Sequence, residues 1–143
     1  MRLIFKFLNP IVIALLNSPL HFIFSNKIMV ITFFGRRSGK EYRTPVSYMK
    51  NEKEIICVTS IENVWWKNFQ TESRVFLQIR GNSLQAKALS IINYDEVKQG
   101  LTDILNHSPV DSFFAGVRLS NGVPRQDDID KVSHEHVLMK IKL

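Results

Sequence analysis

Cysteine is almost absent: the chain has one, Cys57, in 143 residues. A lone cysteine makes neither an internal disulfide nor a Cys-based zinc cage, so neither staples this fold. It lies in Ile55-Ile56-Cys57-Val58, which reads as strand core, so the thiol is expected to be buried and inert. Acid is nearly missing from the first third: residues 1–50 hold eight Lys/Arg against Glu41 alone. From residue 51 onward eleven Lys/Arg face twelve acids, so the whole net charge of +6 comes from the first third. Long apolar runs are missing too. Asn9, Pro10, Asn17 and Pro19 interrupt the first 26 residues, leaving no stretch able to span a bilayer. Arg2 and Lys6 before the Ile11–Leu16 run imitate a signal peptide, but no small-residue cleavage site follows. Neither G-x-G-x-x-G nor G-x-x-x-x-G-K-[ST] occurs, and strands do not alternate with helices. The usual dinucleotide fold is thereby excluded and nucleotide hydrolysis disfavoured.

What is present describes a folded chain of one domain, residues 1–143, at about 100–200 residues per domain; the expected location is cytoplasmic, with peripheral membrane contact as the alternative. With 45% hydrophobic and 22% charged residues it is neither a disordered tail nor a fibrous repeat. A helix is expected from near Pro10 to about Ser25, within an N-terminal segment of residues 1–26. Its middle is apolar all round, so it must be covered by the domain, by a partner subunit or by lipid headgroups. Strands are expected over Ile28–Phe34, Tyr42–Met49, Glu54–Ser60, Arg74–Arg80, Ser83–Ile92 and Val137–Leu143. Turns are expected at Gly35–Lys40, Asn51-Glu52 and Gly81-Asn82. Asn63–Gln70 reads as a short helix, and Asp95–Asn106 shows a helical period at Val97, Leu101, Ile104 and Leu105. Pro109–Leu119 is expected to be a further helix ended by Asn121-Gly122, and Asp127-Asp128 to open a small one. About six antiparallel strands on short turns, with helices first and late, indicate a closed or nearly closed barrel.

The informative run is Thr32-Phe-Phe-Gly-Arg-Arg-Ser-Gly-Lys-Glu-Tyr-Arg-Thr-Pro-Val-Ser-Tyr48, a strand, a glycine-bracketed basic turn and a strand. Gly35 and Gly39 permit positive φ, which lets successive backbone N–H groups converge on an anion. Arg36, Arg37 and Ser38 add side-chain donors. Arg36, Arg37, Lys40 and Arg43 together attract phosphates, carboxylates or an anionic membrane surface. Thr59 and Ser60 close a strand shortly before Trp65-Trp66-Lys67-Asn68. Strand-end hydroxyls, indole faces and an amide suit a flat ligand with polar edges, although tryptophans in such a pair also serve as core.

In combination and order, Ser18-Pro-Leu-His21, Gly35-Arg-Arg-Ser-Gly-Lys40, Thr44-Pro-Val46, Thr59-Ser60 and Trp65-Trp-Lys-Asn68 resemble the deazaflavin-dependent nitroreductase/quinone reductase family. The resemblance covers roughly Asn17 to Ile92. It implies an α+β split β-barrel related to flavin-binding pyridoxamine-phosphate oxidases and a bound deazaflavin or FMN. By the same resemblance Arg36, Arg37 and Ser38 face the cofactor phosphate, and Tyr42, Arg43, Thr44, Pro45 and Val46 run along its ribityl chain and ring. Val58, Thr59 and Ser60 meet the ring edge, and Trp65, Trp66 and Asn68 close the other side. The implied activity is hydride transfer from the reduced cofactor to a quinone, a nitro group or a similar small-molecule acceptor. The implied assembly is a homodimer. The alternative is a non-catalytic flavin-, haem- or lipid-binding protein on the same fold, held at a membrane surface through residues 1–26. Two departures stand out. Tyr42 occupies a position where relatives often carry arginine, and Ser112, Phe113 and Phe114 stand where quinone-reducing relatives carry tyrosines.

Other signals lead elsewhere less well. His134 and His136 flank Glu135 on one expected strand face, but no third ligand is evident, so no metal is expected. His107 at a helix end complements the dipole. A pI of about 9.6 suits nucleic acid, yet the basic excess sits in one turn and the first helix, so nucleic acid is not an expected partner.

Overall fold

The computed structural model describes residues 28–51, 54–107 and 115–143. The helix expected before residue 26, Glu52 of the Asn51-Glu52 turn, and Ser112, Phe113 and Phe114 lie outside them.

In chain order the elements are β1 (Ile28–Phe34), β2 (Glu41–Ser47), β3 (Met49–Lys50), β4 (Glu54–Ser60), a 3-10 helix (Trp65–Phe69), β5 (Ser73–Ile79) and β6 (Asn82–Ile91). Then follow α1 (Tyr94–His107), β7 (Leu119–Ser120), β8 (Val123–Pro124), α2 (Gln126–Val132), a 3-10 turn (Ser133–Glu135) and β9 (His136–Lys142). Seven strands form one antiparallel sheet in the order β2-β1-β5-β6-β9-β4-β3, and β7 pairs with β8 separately. The sheet curls so that β2, at one edge, comes into contact with β4, next to the other. The result is a split-barrel-like half-barrel covered by helices.

Alternation decides what lies inside. Met29, Ile31 and Phe33 of β1, Ile55 and Cys57 of β4, Val75 and Leu77 of β5, and Val137, Met139 and Ile141 of β9 form one buried cluster. Each such side chain contributes about 1.5–3 kcal/mol by leaving water. On the opposite face, Ile56 and Leu138 pack against Val97 and Ile104 of α1, while Leu101 and Leu105 join Ile129 and Val132 of α2. Asn93 caps α1, its Oδ1 accepting the Glu96 N–H at 3.1 Å. Cys57 is fully buried, and burial pushes its thiol pKa up to about 12.

Several expectations shift. Tyr42–Met49 is two strands: β2 pairs with β1, and after Tyr48 the chain crosses to the far edge, where β3 pairs with β4. Tyr48 is buried in the same cluster as Val46, so the alternation runs unbroken through the bend and hides the change of partner. The β5–β6 turn is centred one residue early, on Arg80 (φ 51) and Gly81 (φ 77), because Ile79 pairs with Asn82. Leu119–Ser120 is strand, not the end of a helix. Asn121 (φ 53) and Gly122 (φ 79) make a hairpin turn to Val123–Pro124. His134 and His136 share no strand face: His134 stacks on Tyr94 at 4.4 Å, and His136 Nδ1 lies 2.8 Å from the Val132 carbonyl.

Candidate functional site

The Gly35–Lys40 turn is closed by its own backbone. Gly35 N–H donates to the Lys40 carbonyl at 2.8 Å, and Gly39 N–H to the Gly35 carbonyl at 2.9 Å. Gly39 takes the expected positive φ, +67. Gly35 is needed for room instead: a Cβ there would lie 2.7 Å from Ser38 Oγ and 2.8 Å from Cε2 of Tyr42. Ser38 Oγ accepts the Lys40 N–H at 3.2 Å and lies 3.4 Å from the Tyr42 hydroxyl. The Arg36 N–H donates to Asn68 Oδ1 at 2.8 Å. Among the described residues, the next two amides, of Arg37 and Ser38, carry no hydrogen bond. These two successive N–H groups lie in an exposed turn that also carries the Arg36 and Arg37 side chains, and they are available to an anion.

Beside this turn stands an aromatic wall. The β1–β2 register sets Phe33 opposite Tyr42, and their rings stack at 5.6 Å with 22° between planes. Phe33 also meets Trp65 at 5.9 Å and Phe69 at 5.3 Å, and Trp65 meets Phe69 at 6.1 Å. Trp65 Nε1 donates to Thr59 Oγ1 at 3.1 Å, which anchors the indole to the end of β4. Asn68 Nδ2 donates to the Trp65 carbonyl at 2.9 Å. Tyr42 remains 45% exposed, so its ring is a surface on which a flat ligand can stack.

Arg36, Arg37, Ser38, Tyr42, Thr59, Trp65 and Asn68 are thus brought together. Thr44 and Val46 follow Tyr42 on the same strand face, opposite Ile31 and Met29. Arg43 and Pro45 pair with Thr32 and Val30 and so point the other way. Arg43 Nη2 donates to Gln78 Oε1 at 3.3 Å, beside an open cavity of about 210 Å³ lined by Thr32, Glu41 and Phe76 among others. Val58 and Ser60 likewise alternate away from Thr59; Val58 packs against the helical layer. Trp66 is buried, its Nε1 bonded to the Ile61 carbonyl at 3.2 Å, with Lys67 Nζ 5.9 Å from its ring. Phe33, Phe69 and Asn63 belong to the arrangement without having been singled out from sequence. Phe33 was available from the Met29-Ile31-Phe33 alternation, and Phe69 from its four-residue spacing to Trp65.

Among the described residues no group of three His, Cys, Asp or Glu is placed to hold a metal. No helix among them is long and apolar enough to cross a membrane.

The curled antiparallel sheet, its covering helices and the basic turn define a split-barrel-like protein. The fold is similar to that of a domain-swapped dimer (14% identity, TM-score 0.56, spanning 84% of this chain and 83% of that one). It is also similar to the conserved hypothetical protein Rv2991 from Mycobacterium tuberculosis (12% identity, TM-score 0.53, 84% and 74%). A third likeness is to a NimC/NimA family protein from Clostridium acetobutylicum (11% identity, TM-score 0.50, 81% and 73%). No curated protein matches the chain in sequence. Residues 20–115 match the family described as F420H(2)-dependent quinone reductase, and the chain belongs to that family.

Proposed function

We propose that the protein is an oxidoreductase that binds a deazaflavin of the F420 type and passes its hydride to a quinone, a nitro compound or a similar acceptor. Family membership supports the cofactor class. The observation that carries the site assignment is the pair of free amides at Arg37 and Ser38 next to the Tyr42–Phe33–Trp65 wall. In this reading the nest and the two guanidinium groups hold the cofactor phosphate, while Tyr42 and Trp65 supply ring faces to the flat chromophore. The bound cofactor supplies the hydride; the chain supplies position and electrostatics. Thr59 and Asn68 act within the protein, since their polar atoms are already engaged by Trp65, Asn63 and the Arg36 amide. A homodimer belongs to the reading, and light scattering of the purified protein tests it.

Equilibrium binding of F420, FMN, FAD and haem, followed by tryptophan quenching, tests the assignment. Tightest binding of F420, with turnover of a quinone by the reduced form, is the expected result. Tight binding without turnover by any acceptor would mark a binding protein on the same fold. Binding of none of the four would overturn the cofactor assignment.

A further inference from the structure

We propose that Asn68 is a positioning residue for anion recognition: its carboxamide latches the Gly35–Lys40 turn to the Trp65–Phe69 helix, so that the Arg37 and Ser38 amides are presented to the phosphate already oriented. The inference rests on the phosphate assignment made above.

Both ends of the Asn68 side chain are engaged inside the protein. Oδ1 takes the Arg36 N–H at 2.8 Å, and Nδ2 gives to the Trp65 carbonyl at 2.9 Å. The first bond joins residues 32 positions apart and is the hydrogen bond, among the described residues, that reaches the turn from the helix. The aromatic contacts of that helix end at Phe33, ahead of Gly35. The backbone bonds Gly35 to Lys40 and Gly39 to Gly35 fix the shape of the turn, and Ser38 Oγ, which accepts the Lys40 N–H and lies 3.4 Å from the Tyr42 hydroxyl, steadies its far side against β2; the Asn68 bond is what ties its Arg36 end to the helix. The Arg36 amide immediately precedes the two free ones, so fixing it sets the plane of the peptide that leads into the nest. Asparagine suits this task because one short side chain offers an acceptor and a donor at once. An anion that meets a prepared nest loses less ordering entropy on binding than one that must organise it. Asn68 therefore raises affinity for the phosphate without touching it.

The test compares two probes, F420 and 8-hydroxy-5-deazariboflavin, which has the same ring system but no phosphate. The unsubstituted protein is expected to prefer F420. In Asn68→Ala, F420 affinity is expected to fall about tenfold while affinity for the phosphate-free probe changes less than about twofold. Equal losses for both probes would place Asn68 at the ring or in the general stability of the site, and no loss for either would remove it from recognition; both overturn the latch. Failure of the phosphate assignment looks different: the unsubstituted protein would then bind the two probes equally. A measurement on the unsubstituted protein guards against a variant that fails to fold. Amide hydrogen exchange is expected to be slow at Arg36 before ligand is added, and fast at Arg37 and Ser38 until F420 binds. An Arg36 amide as fast as its two neighbours would also overturn the proposal.

Discussion

The indole N–H of Trp65 donates to Oγ1 of Thr59 at 3.1 Å, and the same oxygen accepts Nδ2 of Asn63 at 3.1 Å. Thr59 is 7% exposed and lies in the inward phase of β4, between Val58 and Ser60, which point away. One hydroxyl thus sets the tilt of Trp65 against Phe33 and Phe69. It also takes the polar edge of the indole out of play, so that Trp65 offers a ligand its ring face.

Thr59→Val keeps the shape and removes the acceptor. Two donors, Trp65 Nε1 and Asn63 Nδ2, would then be left without their partner. The expected cost is about 1–3 kcal/mol, read as a lower urea midpoint with an unchanged slope. Trp65 emission should shift as well. An unchanged midpoint would mean that water or another group satisfies both donors, and that the hydroxyl does not set the indole.

Gly35 and Gly39 bracket the basic turn for different reasons, and alanine separates them. At Gly35 the added methyl would sit 2.7 Å from Ser38 Oγ and 2.8 Å from the Tyr42 ring, so the turn must move off its platform. Gly35→Ala is expected to destabilise by about 1–3 kcal/mol and to weaken F420 binding. At Gly39 nothing lies within 4 Å, and the penalty is only that of φ +67. Gly39→Ala should cost about 1 kcal/mol and leave the Tyr42 platform intact. Denaturant midpoints and F420 titrations of the two variants give the comparison; equal effects on binding would contradict the packing role of Gly35.

Arg36→Ala with Arg37→Ala removes both guanidinium groups and leaves the amide nest in place. Cofactor affinity should fall at least tenfold, about 1.4 kcal/mol or more, with a weaker dependence on salt. Both side chains are exposed, so the fold should be unaffected. Unchanged affinity in the folded double variant would sink the phosphate assignment.

Much of this site was legible in the sequence as separate pieces, and the pieces that were not legible are its long-range joints. The Met29-Ile31-Phe33 alternation, the glycine-bracketed turn and the Trp65–Asn68 helix are local patterns, and the structure holds each of them. The same period-2 rule separates Tyr42, Thr44 and Val46 from Arg43 and Pro45, and Thr59 from Val58 and Ser60, once it is applied residue by residue. Three features have no local signal: the crossing at Tyr48 from one sheet edge to the other, the insertion of β9 between β6 and β4, and the bond from Asn68 to Arg36. Each depends on which distant strand or turn comes alongside. Adjacent tryptophans illustrate the point: about 120° of rotation per residue in the 3-10 helix sends Trp65 toward Thr59 and Trp66 into the core.

Acid should loosen the helical layer before the barrel. Arg118 grips Asp128 with two guanidinium hydrogen bonds, at 2.9 and 3.0 Å, and a backbone N–H at 2.9 Å, which together hold its carboxyl well below the ordinary carboxylate range. Asp127, bonded by Arg125, and Asp130, bonded by Gln126 and Lys98, are lowered in the same direction. A carboxylate depressed in the folded state stabilises fully above its unfolded pKa, about 4, and loses that contribution as pH falls from there through the folded value. Asp128→Asn should therefore melt lower than the unsubstituted protein near neutral pH, and the gap should narrow steadily below about pH 4. Thermal melts followed by far-ultraviolet circular dichroism across that range read the gap directly. A gap of constant size down to the acid limit would show that Asp128 stabilises α2 through its hydrogen-bond geometry alone, without its charge.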